Sequence, residues 1–267
     1  MWDAVAPGWE RWRARIDAAM APVREWMIGE LAPTPGQTIL ELSAGLGDTG
    51  FRAAEIVGDR GRVISTDLAP AMLEGARRAA AERGLRNVEF RVMDAERMTL
   101  EAGTVDGVLC RYALMLMGDP AAALTETRRV LRPGGRVAFA VWAGPERNPW
   151  VTIFTRVLIE RGHLPPPEPG PGIFALASEE RLRGLLVDAG FADVRIAEIR
   201  IRLPVGDVDD YVGAIAETSP FGNVLGDLSD SDRRAVRAQM AEALAPFAAP
   251  GGYELPGVAL GAAGAAP

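Results

Sequence analysis

Between Thr38 and Trp142, short runs of β-branched and apolar residues alternate with longer stretches rich in alanine, leucine and arginine. Runs of four to eight apolar residues suit buried strands, and the longer stretches suit helices with one apolar face, so the alternation predicts a parallel sheet covered by helices. Five strands are expected in QTILEL, GRVISTD, NVEFRVMD, VDGVLCRY and GRVAFAVW, and crossover helices in DTGFRAAEIVG, APAMLEGARRAAAERG and DPAAALTETRRVLRPGG. The last helix is expected to stop at Pro133-Gly134-Gly135, because proline cannot continue a helix and glycine accepts the left-handed turn that follows one.

After Trp142 the rhythm changes. Residues 144–177 join one apolar helical piece to the proline-rich HLPPPEPGPG and read as an insertion over the sheet edge. SEERLRGLLVDAGF then opens on Ser178 with glutamates in its first turn and ends at Gly190, a helix with both signals in place. ADVRIAEIRIRLP alternates as a strand does, residues 205–249 read as mainly helical, and GGYELPGVALGAA supplies a last strand. At the other end, Trp9, Trp12 and Arg15 follow helical spacing, so residues 1–35 are expected to form an amphipathic helical segment packed on a main domain of residues 36–267. That segment either packs only or also closes over a ligand.

Composition narrows the partners. A net charge of -7 and a pI near 5.0 repel nucleic-acid phosphates, and the Arg77-Arg78 and Arg128-Arg129 pairs lie on helices with acids nearby, so no nucleic-acid partner is expected. Cys110 is the single cysteine, which excludes an internal disulfide and a thiolate metal site and fits a reducing compartment; the cytoplasm is expected. Asp3 and Glu10 stand where a signal peptide needs a basic start and an apolar core, and no apolar run approaches the roughly 20 residues of a membrane helix, so no membrane partner is expected.

The stretch ILELSAGLGDTG holds the literal pattern G-x-G-x-x-G. Glycines at this spacing say only that the backbone turns tightly after a strand and lets something approach. An open parallel sheet binds ligands beyond the carboxyl ends of its strands, and those ends are acidic here: Glu41, Asp67 and Asp94 close the first three strands. A carboxylate at Glu41 would repel the pyrophosphate of a dinucleotide. A ligand with an ammonium group, a ribose diol and an adenine amine would find an acceptor at each position, as S-adenosylmethionine does. Each acid also has a local alternative: Glu41 satisfied by backbone amides, Asp67 as a helix cap and Asp94 as a turn residue.

The segment from Gln37 to Trp142 resembles the class I S-adenosylmethionine-dependent methyltransferases, in particular the branch similar to the ubiquinone/menaquinone-biosynthesis C-methyltransferases. ELSAGLG matches the first motif, and STDLAPAML, VMDAERM and ETRRVLRPGGRVAFAVW match the later ones in order and spacing. The resemblance implies a Rossmann-like α/β fold, a mostly parallel sheet with an antiparallel last strand, helices on both faces and helical cap insertions at 144–177 and 205–249. It also implies S-adenosylmethionine as cofactor. Glu41 would orient its amino-acid end, with the backbone of Ser43, Ala44, Gly45 and Gly47 passing close beneath. Asp67 would accept the ribose hydroxyls, Leu68 and Met72 would lie against the adenine, Asp94 and Ala95 would recognise its edge, and Cys110, Arg111 and Tyr112 would line the methionine portion. The family often has glycine where Ser43 stands here, and commonly cysteine or a small residue at Ala44.

Methyl transfer from a sulfonium is an in-line displacement that needs no metal and no covalent nucleophile, so catalytic residues leave little trace in a sequence. His163, the only histidine, sits in ERGHLPPPEPG and is not assigned a catalytic role. The expected activity is methyl transfer to oxygen or carbon of a small, partly apolar acceptor. Trp150, Phe154, Phe174, Tyr211, Phe221 and Met240 are candidates for an apolar acceptor pocket, with ordinary core packing as the alternative for each. Two competing readings are an NAD(P)-dependent oxidoreductase and a non-catalytic cofactor-binding protein.

Overall fold

A computed structural model describes residues 1–267 apart from Pro169 and Pro220. The alternating segment forms the expected core. β1 (Thr38–Glu41), α2 (Asp48–Val57), β2 (Arg62–Asp67), α3 (Pro70–Glu82), β3 (Val88–Val92), β4 (Val105–Arg111), α4 (Pro120–Val130) and β5 (Leu131–Trp142) follow α1 (Trp2–Leu31) in chain order. The C-terminal part adds α5 (Pro149–Glu160), α6 (Glu179–Asp188), β6 (Ala192–Val205), α7 (Val208–Thr218), α8 (Gly222–Gly226), α9 (Asp230–Leu244), β7 (Ala248–Ala249) and β8 (Gly252–Ala265).

The sheet runs β3-β2-β1-β4-β5-β8-β6, with β7 paired to β8. The first five strands are parallel, and β8 enters antiparallel between β5 and β6, so the last strand of the chain is interior to the sheet. That position explains its composition. GVALGAAGA is packed on both faces, and a Cβ at Gly261 would overlap the Trp26 ring of α1. The order reverses between β1 and β4, which places the ligand crevice over the carboxyl ends of those two strands.

Boundaries depart from the sequence reading at β3, which ends at Val92 and leaves Asp94 in the turn beyond it, and at the junction of α4 with β5. α4 ends at Val130, and Leu131 is already extended (φ −73°, ψ 139°), pairing with Val105. The residue before proline is driven out of the helical region, so Pro133 acts on Arg132 and the helix stops several residues before the proline itself. Ser178 does cap α6, accepting the Arg181 N–H at 3.3 Å.

Two main apolar cores result. One fills the sheet and its flanking helices, from Met27 and Leu31 of α1 through Leu40, Val108 and Phe139. The other lies mainly in the cap, where Phe154, Val157 and Leu158 of α5 meet Tyr211 and Ile215 of α7 and Val236, Met240 and Leu244 of α9, and it closes on Val205 of β6 and Leu255 of β8. Thus the two insertions fold together as one cap. The 144–177 insertion also returns to the sheet: Gly172 N–H donates to the Met115 carbonyl, and Phe174 and Leu176 pack in the main core.

Candidate active site

β1 delivers Glu41 to the rim with its carboxylate buried, at 4% exposure. Oε1 accepts the Gly50 N–H at 2.7 Å and Oε2 the Ser65 hydroxyl at 3.1 Å. A Cβ at position 50 would overlap that carboxylate, so glycine is required there. Burial pushes the Glu41 carboxyl up to about 7, against the opposing pull of the Gly50 N–H, the Ser65 hydroxyl and the Arg111 guanidinium.

The loop after β1 turns through three left-handed residues, Ser43 (φ 48°), Gly45 (φ 55°) and Gly47 (φ 80°). Glycine takes this conformation freely and serine does not, which gives a physical reason for the glycine that the related motif often carries at position 43. Ala44 N–H donates to the Thr66 carbonyl at 2.8 Å, holding the loop over β2.

Asp67 ties this loop to the next helix. Its Oδ2 accepts the Gly45 N–H and its Oδ1 the Ala69 N–H, both at 2.9 Å. Its carboxyl is raised by burial, with the Ala69 and Gly45 N–H groups opposing. Asp94 accepts the Glu96 N–H at 2.9 Å, and the preceding Met93 N–H donates to the Asp67 carbonyl. Glu41 and Asp94 therefore do the local work that the sequence left open as an alternative, whereas Asp67 turns the chain ahead of α3 without capping it, the N-cap there being Ala69 with no side-chain bond. A carboxylate has about four acceptor sites and each of these oxygens takes at most one hydrogen bond from the described residues, so capacity for a ligand remains at Asp67 and Asp94. Leu68 stands 62% exposed at the rim, while Met72 and Ala95 are buried.

From β4, Cys110 is fully buried in the core, and burial pushes its thiol up to about 12. Arg111 and Tyr112 come next. Arg111 shares the sheet face of Glu41, through the Glu41–Leu109 register and the alternation of β4. Its Nη1 is buried without a hydrogen-bond partner among the described residues. Tyr112 is left-handed (φ 61°) and stacks on Trp142 at 4.1 Å between ring centroids, and Trp142 meets Trp150 of α5 at 4.8 Å. This aromatic run joins the rim to the cap.

Three contributors carry no signal in the sequence. Thr49, one residue into α2, has a buried hydroxyl without a partner among the described residues. Ser65 holds Glu41. Asn148, fully buried, donates to the Ala143 and Val258 carbonyls and accepts from Val258 N–H and Trp150 Nε1, so it fixes the end of β5, β8 and the start of α5 together. Their signals are tertiary, since Asn148 and Val258 stand 110 residues apart.

The acceptor candidates separate. Phe154, Tyr211 and Met240 are buried in the cap core, with Phe221 packed against it, whereas Trp150 touches both cores and Phe174 packs on the sheet core. Core packing accounts for most of them.

A parallel sheet of this order with an antiparallel strand inserted near its end is the Rossmann-like fold shared with solved methyltransferases. Residues 33–144 match the family model described as a methyltransferase domain. Aklanonic acid methyltransferase DauC of Streptomyces sp. (strain C5) is 39% identical over 118 residues, which cover 44% of this chain and 54% of that one. The chain thus spans about half the length of that relative. The ubiquinone/menaquinone biosynthesis C-methyltransferase UbiE of Coxiella burnetii (strain Dugway 5J108-111) is 29% identical over 64% of this chain and 72% of its own. The crystal structure of a SAM dependent methyltransferase from Aquifex aeolicus shares the fold, with a TM-score of 0.53 at 23% identity over 68% of this chain and 87% of that one. Residues 33–144 thus carry a methyltransferase domain, and the chain is similar to S-adenosylmethionine-dependent methyltransferases in sequence and in fold.

Proposed function

We propose that the protein transfers a methyl group from S-adenosylmethionine to an oxygen or carbon of a small, partly apolar metabolite. The observation that carries this reading is the rim itself. Glu41 and Asp67 end β1 and β2, Asp94 lies in the turn just beyond β3, and the first helix after the glycine loop gives its Gly50 N–H to a carboxylate. A dinucleotide would need that helix N-terminus for its pyrophosphate and would meet Glu41 there.

The residues fit the cofactor. Two buried polar atoms without partners, Thr49 Oγ1 and Arg111 Nη1, flank Glu41 in sequence and on the sheet face, ready for a zwitterionic amino-acid end. Asp67 keeps acceptor capacity for a ribose diol, Leu68 offers apolar surface to adenine, and Asp94 and Ala95 would meet its edge, whereas Met72 is buried against Ala6 and Leu46. When bound, the cofactor supplies an electrophilic methyl group. The chain's part is to hold the acceptor in line and to exclude water, a role we assign to the cap, whose Trp150 meets Trp142 at the end of β5.

The acceptor class rests on the cap and the charge. The cap is apolar inside, and a net charge of -7 suits a small molecule better than a nucleic acid. The relatives' names agree with this reading, an aklanonic acid methyltransferase with a small-molecule acceptor and a C-methyltransferase with carbon as acceptor atom. Among the described residues no helix is long and apolar enough to cross a membrane. Incubating the purified protein with methyl-labelled S-adenosylmethionine and a metabolite extract should label one or a few small products; label confined to macromolecules, or none above a heat-killed control, would overturn the reading.

A further inference from the structure

The front half of α1 touches both halves of the molecule. On one side, Ala6 packs with Leu46 of the glycine loop and with Ala69 and Met72 at the start of α3. Asp3 accepts the Ala71 N–H at 2.9 Å, Glu10 pairs with Arg78, and Arg13 pairs with Asp48 at the start of α2 at 2.6 Å. These contacts reach the glycine loop and the first turn of each helix beside the proposed cofactor crevice.

On the other side the same helix is fastened to α7 of the cap. Trp9 Nε1 donates to the Thr218 carbonyl and Trp12 Nε1 to Glu217 Oε2, each at 2.9 Å, and Arg11 pairs with Glu217 Oε1 at 2.9 Å. Arg15 adds an ion pair to Asp210 at 2.6 Å. Gly8 faces the Glu217 carbonyl so closely that a Cβ would overlap it, so the two backbones meet without a side chain between them. α7 in turn belongs to the cap core: Tyr211 donates to the Trp150 carbonyl and accepts the Phe154 N–H.

Pro22 divides the helix. Behind it, Val23, Met27, Ile28 and Leu31 are buried in the main core; ahead of it the burial is confined to Ala6, Gly8 and Met20. A proline inside a helix removes one backbone hydrogen bond, which lowers the resistance to bending there.

We propose that residues 2–21 are a strap that couples the cap to the cofactor crevice, with Glu217 as its latch, so that a cap residue touching nothing in the crevice sets how long the cofactor stays. This rests on the cofactor reading above. A ligand lying under the strap leaves only when the strap lifts, and lifting it breaks the Trp9, Trp12 and Arg11 bonds to α7. By linkage, whatever holds α7 in place on the acceptor side slows departure on the cofactor side.

The test uses the full chain and S-adenosylhomocysteine. Dissociation rate by stopped-flow and amide exchange of residues 5–15 are measured for the wild type, Glu217→Ala, Gly8→Ala and, as a control, Gln239→Ala, whose side chain bonds Glu160 within the cap and not α1. Gly8→Ala places the better helix former in α1 yet wedges it from α7. Both strap variants should release the ligand about tenfold faster, a change of roughly 1.4 kcal/mol, and exchange α1 faster, while Gln239→Ala matches the wild type. Unchanged dissociation in folded Glu217→Ala and Gly8→Ala, with or without faster exchange, overturns the proposal, as does an equal effect of Gln239→Ala. Failure of the wild type to bind S-adenosylhomocysteine overturns the cofactor reading instead.

Discussion

The rim and the cap are held by different physics. At the rim, three carboxylates take backbone N–H groups from loops that follow β1, β2 and β3, so the geometry rests on charge-assisted hydrogen bonds around left-handed residues. In the cap, α5, α7 and α9 are joined by apolar side chains around Phe154 and Met240, with Tyr211 as the polar pin. The difference separates tasks. Hydrogen bonds fix positions to fractions of an ångström for one constant ligand, whereas apolar helix packing tolerates changes of shape from one acceptor to another.

The comparison is broken most forcefully in the cap. Phe154→Ala should lower stability by about 3 to 5 kcal/mol, the usual range for a fully buried aromatic. Chemical denaturation should show this loss, while the affinity of the folded protein for S-adenosylhomocysteine stays within about tenfold. A collapse of affinity in the folded variant would mean that the rim depends on the cap core.

At the rim, the Glu41 carboxyl stands at about 7 when folded against 4.5 as a free group. A raised value means that the stabilising contribution is fully present below the unfolded value and is lost as pH climbs through the folded one, a loss on the order of 3 kcal/mol by pH 8. Glu41→Gln keeps an acceptor for Gly50 N–H without the buried charge. Without ligand, its melting temperature should exceed that of the wild type at pH 8, and the two should converge near pH 4. Parallel pH profiles would show that Glu41 is not protonated in this range.

Asp67→Ala should weaken S-adenosylhomocysteine by roughly 1.5 to 3 kcal/mol, the range for hydrogen bonds to a charged group. Calorimetry on the folded variant measures this, and unchanged affinity would remove Asp67 from the site. The smallest effect lies outside both regions: Ser178→Ala removes the α6 cap and should cost about 1 kcal/mol with no change in binding. A loss of affinity there would show that α6 reaches the crevice.

How far each region was legible in the sequence follows from the same physics. Glu41, Asp67 and Asp94 could be placed because a strand's end and its following turn are local features, and the glycine loop announces itself by residue type. Even there, the bonds from Gly50 and Ser65 to Glu41 needed the fold. The end of α4 was misplaced because the influence of Pro133 falls on the residue before it. In the cap, helices were readable from their periodicity, yet Phe154, Tyr211 and Met240 gave no sign of facing one another rather than a ligand. Apolar side chains look alike in a pocket and in a core, and only the partner across the interface tells them apart. Asn148 and Thr49 were silent for the same reason: what matters about them is what does or does not lie opposite.

The central claim is that this rim is built for a ligand with an ammonium group and no phosphate. Calorimetric titration of the purified wild type with S-adenosylhomocysteine and with NADH, under one buffer and salt, tests it directly. The structure predicts saturable binding of S-adenosylhomocysteine and none of NADH at matched concentration. Saturable NADH binding with S-adenosylhomocysteine silent would contradict it.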